Sequence, residues 1–235
     1  QIATLDRSRL DVAQPAQVRG ALEDLDFEVL VNCTSYHKTD EVELNATPAF
    51  AVNAHAVREM ARACRARGAR FCHVSTDYVF AGEERRPYRE DDCTGPVNVY
   101  GASKAMGEQL ALLEGGDDVT ILRVASLFGV AGASGKGGNF VETMIRLARE
   151  KGEVRVVNDV TMSPTATSDV AGWILALVEA RAPGGIYHAV NSGQATWFEF
   201  AAEILRQSAI DARATPIDSG AFPTVARRPA YSVLD

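Results

Sequence analysis

The sequence predicts an α/β fold: a doubly wound parallel sheet with helices on both faces, and a smaller C-terminal lobe beside it. Three observations carry this. Short apolar runs alternate with longer amphipathic ones along most of the 235 residues, the rhythm of strand–helix–strand units with right-handed crossovers. Runs such as Glu28–Asn32 are the short apolar segments of a buried strand. Beyond about residue 155 the rhythm loosens and Pro and Gly become more frequent, which marks the smaller lobe.

Taken in order, Ile2–Leu5 reads as a strand. Pro15–Leu25 is a short helix, with Val18, Ala21, Leu22 and Leu25 at helical spacing. Glu28–Asn32 is the next strand. Thr47–Arg67 is a long helix turning Phe50, Val57, Met60, Ala61 and Cys64 inward and ending at Gly68. Ala69–Ser75 is a strand, Tyr100–Leu113 a helix stopped by Gly115-Gly116, and Val119–Val124 a strand. Residues 129–138 form a Gly-rich loop, expected to be mobile over the site. It lacks the Ser or Thr that must follow Lys in a phosphate loop, because Gly137 follows Lys136. Phe140–Glu150 is a helix, Val154–Val157 a short strand and Asp169–Arg181 a helix capped by Ser168. Ile186–Val190 is a strand, and Thr196–Gln207 a helix opening on the capping box Thr196-Trp-Phe-Glu199. The expected division is a larger part, residues 1–155, and a smaller lobe, residues 156–235, interleaved with it.

Composition narrows the function. Apolar residues make up 46% and charged residues 23%, the balance of a soluble globular chain with a full core. A net charge of −7 argues against a nucleic-acid partner. No stretch approaches the roughly 18 apolar residues of a membrane span. The four cysteines form no C-x-x-C pair and read as buried free thiols of a reducing, cytoplasmic compartment. The histidines lack metal-ligand spacing, so no metal is expected.

Tyr100-Gly-Ala-Ser-Lys104 puts a phenol and an ammonium four residues apart, on one helix face. A nearby fixed cation favours the phenolate and lowers the tyrosine pKa from about 10, which suits proton exchange with a carbonyl oxygen while hydride reaches its carbon. His73-Val-Ser-Thr-Asp-Tyr-Val-Phe80 ends a strand in hydroxyls and an acid. Ligands of open α/β sheets bind there. Val31-Asn-Cys-Thr-Ser-Tyr36 ends another strand in small residues that let a cofactor approach. Asp6, at the end of the first strand, is placed to bind ribose hydroxyls, with Arg7 and Arg9 following it.

Together, Ser75–Phe80 followed by Val99–Lys104 resembles the extended short-chain dehydrogenases/reductases, and within them the dTDP-4-dehydrorhamnose reductase family. Val31-Asn with Tyr36 and Asp40, Gly137–Phe140, Pro164-Thr165, Gly185–His188 and Ala226–Pro229 with Ser232 and Leu234-Asp235 extend the likeness in order along almost the whole chain. It implies a Rossmann-type domain with a nucleotide-sugar lobe, NADPH or NADH as cofactor, and reduction of a 4-keto group on a nucleotide-linked 6-deoxysugar. It implies Tyr100 as general acid, Lys104 on the nicotinamide ribose and tuning Tyr100, and Thr76 polarising the keto oxygen. Asp6 matches the ribose-binding acid, Asp11 and Val12 the adenine side, and Thr34, Ser35 and Tyr36 the pyrophosphate and ribose; Thr76, Asp77 and Tyr100 would contact substrate. A homodimer is left open.

The chain departs from the family pattern twice. It opens without the strand and G-x-x-G-x-x-G turn that start the family, which is read as a missing first βα unit; a terminal helix after Leu234-Asp235 is likewise expected and absent. Arg123-Val-Ala-Ser126-Leu-Phe128 lacks an aromatic that the rhamnose enzymes carry, so the reductase class is the firmer expectation than the sugar. Two other readings compete: a non-catalytic regulator like the beta subunit of methionine adenosyltransferase, and a nucleotide-sugar epimerase.

Overall fold

The protein is described by a computed structural model covering residues 2–132 and 137–235. The loop expected to be mobile over the site falls partly on residues 133–136, outside the described residues.

The chain opens on α1 (Pro15–Glu23), started by Pro15 at its first turn, where a missing N–H costs nothing. Then come β1 (Val29–Asn32), α2 (Thr39–Leu44) and α3 (Ala46–Phe50). A π-helical turn, Ala51–His55, joins α3 to α4 (Ala56–Arg67). Gly68 ends α4 at φ +67, the left-handed conformation glycine adopts without strain. β2 (Arg70–Thr76), α5 (Val99–Gly115), β3 (Val119–Val124) and β4 (Leu127–Phe128) follow. The rest runs α6 (Phe140–Lys151), β5 (Glu153–Val157), β6 (Thr161–Met162), β7 (Thr165–Ala166), α7 (Thr167–Glu179), β8 (Gly185–His188), β9 (Ala195–Thr196), α8 (Trp197–Gln207) and β10 (Arg213–Ile217).

β1, β2, β3 and β8 form a parallel sheet in that order. On one face α1, α4 and α5 bury Val18, Leu22, Val57, Met60, Phe71 and Ile121 in one cluster. On the other, Val170 of α7 packs with Leu122, Val124 and Ala189. Each such side chain contributes about 1.5–3 kcal/mol by leaving water. A separate apolar cluster is built by α6, α8, β5 and β10 around Met144, Ala148, Val154, Ala201 and Leu205. The α/β class with its parallel sheet is therefore as expected.

Several local readings need correction. Ile2–Leu5 is not a strand: among the described residues no neighbour pairs with it, and a lone extended segment leaves its backbone groups to solvent. The single long helix expected from Thr47 is two helices joined by the π turn, with α2 unforeseen before them. Ser168 does not cap α7; Ala166 holds the cap position and Ser168 lies inside the first turn. The capping box at Thr196 is present, with Thr196 accepting from the Glu199 N–H at 3.1 Å and Glu199 accepting from the Thr196 N–H at 2.8 Å. All four cysteines are free, but only Cys64 and Cys72 are buried; Cys33 and Cys93 are exposed. Burial pushes the Cys64 and Cys72 thiols up to about 12 and about 11, away from reactive thiolate. Among the described residues no helix is long and apolar enough to cross a membrane, and no cluster could hold a metal.

Candidate active site

The carboxyl ends of β1 and β2 face the first turn of α5, and the site forms between them. Asn98 caps α5 by accepting from the Gly101 N–H at 2.8 Å, which fixes where Tyr100 leaves the helix. Gly101 lies so close to the β2–α5 turn that a Cβ there would stand 2.1 Å from the Tyr78 carbonyl oxygen. Gly107 meets the π turn in the same way, a Cβ falling 2.1 Å from the Asn53 carbonyl oxygen. Two glycines thus let α5 approach the turn after β2 and the π turn at backbone distance.

Asn53, in the π turn, ties the pieces together. Its Oδ1 accepts from the Tyr36 N–H at 2.8 Å and the Ser35 hydroxyl at 3.3 Å. Its Nδ2 donates to the Tyr36 carbonyl at 3.1 Å and the Ser103 hydroxyl at 3.0 Å. Ser103 in turn donates to the Tyr100 carbonyl at 2.8 Å. Both amide donors and both acceptor positions of a fully buried side chain are used, so the loop after β1 and the Tyr100 turn are locked to each other. Sequence reasoning missed Asn53. The signal was available: a polar residue between Val52 and Ala54 on a helix otherwise turned into the core. A π turn at such a point is a frequent mark of a functional site.

At the end of β2, Thr76 donates to Asp77 Oδ1 at 2.9 Å and accepts from the Tyr78 N–H at 3.2 Å. Asp77 is buried, and desolvation raises its carboxyl to about 6 despite the hydroxyls of Ser232 and Thr76 beside it. Ser232 reaches Asp77 because the C-terminal residues fold back: Tyr88 pairs with Leu234, and Thr161 with Tyr231. Asp40 holds the same segment by accepting from the Ala226 N–H and the Arg228 guanidinium, each at 2.9 Å.

The Tyr100 ring meets Tyr78 edge-on at 5.9 Å. The hydroxyl lies inside, and burial pushes it up to about 12, with Ser35 and Thr76 favouring the phenolate and Asp77 opposing it. This corrects the expectation that Lys104 lowers Tyr100. Lys104 instead points to the floor of the site, where Nζ donates to the Val74 carbonyl at 2.7 Å and lies 3.0 Å from His73 Nε2. Its own pKa is drawn down to about 7, first by burial. Behind Thr76, Arg123 pairs with Glu108 at 2.8 Å, both fully buried. Ser75 donates to Glu108, and the Arg123 guanidinium lies 4.9 Å over Phe80.

The structure therefore gathers Thr34, Ser35, Tyr36, Thr76, Asp77, Tyr100 and Lys104 around one site. Thr34 joins it through Asn32, whose Oδ1 accepts from its N–H at 3.0 Å. Asp6, Asp11 and Val12 are held otherwise. Asp6 is exposed in a turn, accepting from the N–H and hydroxyl of Ser8 rather than ending a strand. Asp11 accepts from the Ala13 N–H at 3.1 Å, and Val12 packs against the α1–α4 cluster. Ser126, after β3, takes φ +43, a left-handed conformation unusual for a residue with a Cβ and typical of strain at ligand sites.

A family profile described as the RmlD substrate binding domain matches residues 1–235. The chain belongs to this family. It is 44% identical to a dTDP-4-dehydrorhamnose reductase of Streptomyces griseus, over the whole chain and 77% of that relative. A reductase of the same name from Mycobacterium tuberculosis H37Rv is 40% identical over 98% of the chain and 75% of its own length. Among solved structures, the Bacillus anthracis dTDP-4-dehydrorhamnose reductase in complex with NADP superposes with a TM-score of 0.92 at 35% identity, covering 98% of this chain and 80% of that one. The Thr76–Tyr100–Lys104 set sits at the carboxyl ends of the parallel strands, where open α/β sheets bind ligands.

Proposed function

We propose that this protein is an NAD(P)H-dependent reductase of the 4-keto group of a dTDP-linked 6-deoxysugar, with Tyr100 as its proton donor. The observation that carries the reading is the convergence of Tyr100, Thr76, Ser35 and Lys104 at the carboxyl ends of β1 and β2, in a member of the RmlD family. The donor set fits the nicotinamide end of the cofactor: a buried amine and three hydroxyls meet beside the small residues after β1.

When bound, the reduced nicotinamide supplies hydride to the carbonyl carbon. The chain's own residues manage the oxygen. Thr76, its hydroxyl turning from Asp77 Oδ1 to the substrate, donates a hydrogen bond to the keto oxygen and polarises it, and Tyr100 passes its proton to that oxygen as the C=O π bond breaks. A phenol held near 12 stays fully protonated at neutral pH, so the donor is always loaded. The developing alkoxide is a far stronger base than phenolate, so the transfer runs downhill. Lys104 then offers its ammonium to the ribose and to the phenolate left behind. Asp77, kept near 6 by burial, would contact the sugar beside Thr76. Thr34, Ser35 and Tyr36 line the cofactor, with Asp6, Asp11 and Val12 toward its adenosine half.

We assign residues 1–155 to cofactor and residues 156–235 mainly to the nucleotide sugar. The interleaving runs both ways, since β8 joins the main sheet and α6 the second apolar cluster. Four free cysteines suit a cytoplasmic setting. The test is a spectrophotometric assay with a dTDP-4-keto-6-deoxysugar. One NAD(P)H consumed per sugar reduced is expected. Turnover without net NAD(P)H loss would make the protein an epimerase instead, and cofactor binding without any turnover would favour the regulator.

A further inference from the structure

Beneath Tyr100, Lys104 of α5 ends a buried row whose other two members, Asn32 at the end of β1 and His73 in β2, the reduction scheme leaves unused. His73 is fully buried and flanked at both ring nitrogens, with Asn32 Nδ2 3.0 Å from Nδ1 and Lys104 Nζ 3.0 Å from Nε2. The Asn32 amide is not free to turn. The Thr34 N–H, which can only donate, meets the other amide atom at 3.0 Å, and the Thr34 hydroxyl meets it at 2.6 Å. That atom is Oδ1, so the NH2 group faces His73. An amide NH2 can only donate, so Nδ1 accepts and the ring hydrogen of neutral His73 sits on Nε2.

This hydrogen points at Lys104. An ammonium has no lone pair to receive it, so the contact is a hydrogen bond only when Lys104 is a neutral amine. The amine then accepts from His73 and donates to the Val74 carbonyl. Burial favours the same form, drawing Lys104 to about 7 and His73 well below its usual value. Cys33 and Glu108 are the other titratable groups acting on Lys104. The charge acting on the Tyr100 hydroxyl is Asp77, not Lys104.

We infer that His73 is a positioning residue for Lys104: through a tautomer fixed by Asn32 it parks the neutral amine at the floor of the site, and Lys104 takes up its proton by leaving that contact. The inference rests on the reading that Lys104 works with Tyr100 and the cofactor.

Two measurements test it. Imidazole 15N NMR on the whole protein, at pH of about 6 to 8, reads the tautomer directly. A bare Nδ1 with a protonated Nε2 is expected for His73. An Nδ1–H or doubly protonated ring overturns the inference, whatever the variants do. The second measurement compares His73→Phe with His73→Gln. Gln offers an oxygen toward Asn32 and a nitrogen toward Lys104, whereas Phe keeps the stacking beside Phe71 and loses both hydrogen bonds. His73→Phe should lower kcat about tenfold and move the pH limb of Lys104 up by about one unit, with sugar KM unchanged. His73→Gln should stay within about threefold of the parent with the limb in place. Equal activity and pH profiles in the parent and the Phe variant, or a Gln variant no better than Phe, would overturn the inference. Lys104→Met separates this from failure of the underlying reading: if that variant keeps full turnover, the catalytic role of Lys104 falls, while the NMR still judges the tautomer.

Discussion

The two ends of the molecule are held together in opposite ways. Around the site, the buried groups are polar: Asn32, Asn53, His73, Thr76, Asp77, Lys104, Glu108 and Arg123 are all under a tenth exposed. In the α6–α8 cluster the buried groups are apolar, and charges stay outside in helix-surface pairs such as Arg146–Glu150 and Arg206–Glu203. Such exposed pairs add little to stability. The second region stores its energy in packing. The first gives up stability to keep polar groups out of water, and burial draws His73 and Lys104 down and pushes Asp77 up. A region that must exchange protons is built from groups that a purely stable core would exclude.

Three substitutions separate these designs, in falling order of effect. Glu108→Ala leaves Arg123 buried without its carboxylate and should cost about 3–5 kcal/mol by chemical denaturation. A loss below about 1 kcal/mol would mean that water replaces the carboxylate. Leu205→Ala removes a side chain only 4% exposed and should cost about 2–4 kcal/mol while leaving kcat unchanged. A large fall in kcat there would show that the apolar cluster also shapes the reacting geometry. Lys104→Met should have the opposite sign. The folded pKa of about 7 lies below the ordinary 10.5, so the unfolded chain binds more protons between those values and stability rises with pH across them. Replacing the lysine should therefore stabilise the protein by about 2–3 kcal/mol at pH 6, a gain that fades toward pH 10, while turnover collapses. Unfolding curves at both pH values check it; an equal gain at both would break the link to lysine ionisation.

The same contrast explains what could be read from the sequence. α8 was legible because Thr196 and Glu199 announce its start and its apolar face repeats at helical spacing. β2 and α5 were legible for similar reasons, and Tyr100, Lys104 and Thr76 stood out through their residue types. Asn53 and His73 were not legible. Their roles depend on partners that are distant in sequence, from Tyr36 and Ser103 to Asn32 and Lys104; a polar residue on a core-facing stretch marks Asn53 as unusual but does not name those partners. Ile2–Leu5 misled for the converse reason. Its apolar pattern suits a strand, but a strand exists only when a neighbour completes its hydrogen bonds. The Tyr100 pKa also misled, because spacing of four places the lysine on the same face without deciding where its amine points.

The central claim is that Tyr100 is the proton donor of a sugar ketoreductase, and Tyr100→Phe tests it most directly. The variant keeps the ring against Tyr78 and removes only the hydroxyl. Assayed with NADPH and a dTDP-4-keto-6-deoxysugar, it should lose about a thousandfold in kcat with cofactor affinity within about threefold of the parent. Turnover at the parent rate, with the cofactor bound as tightly, would contradict the account.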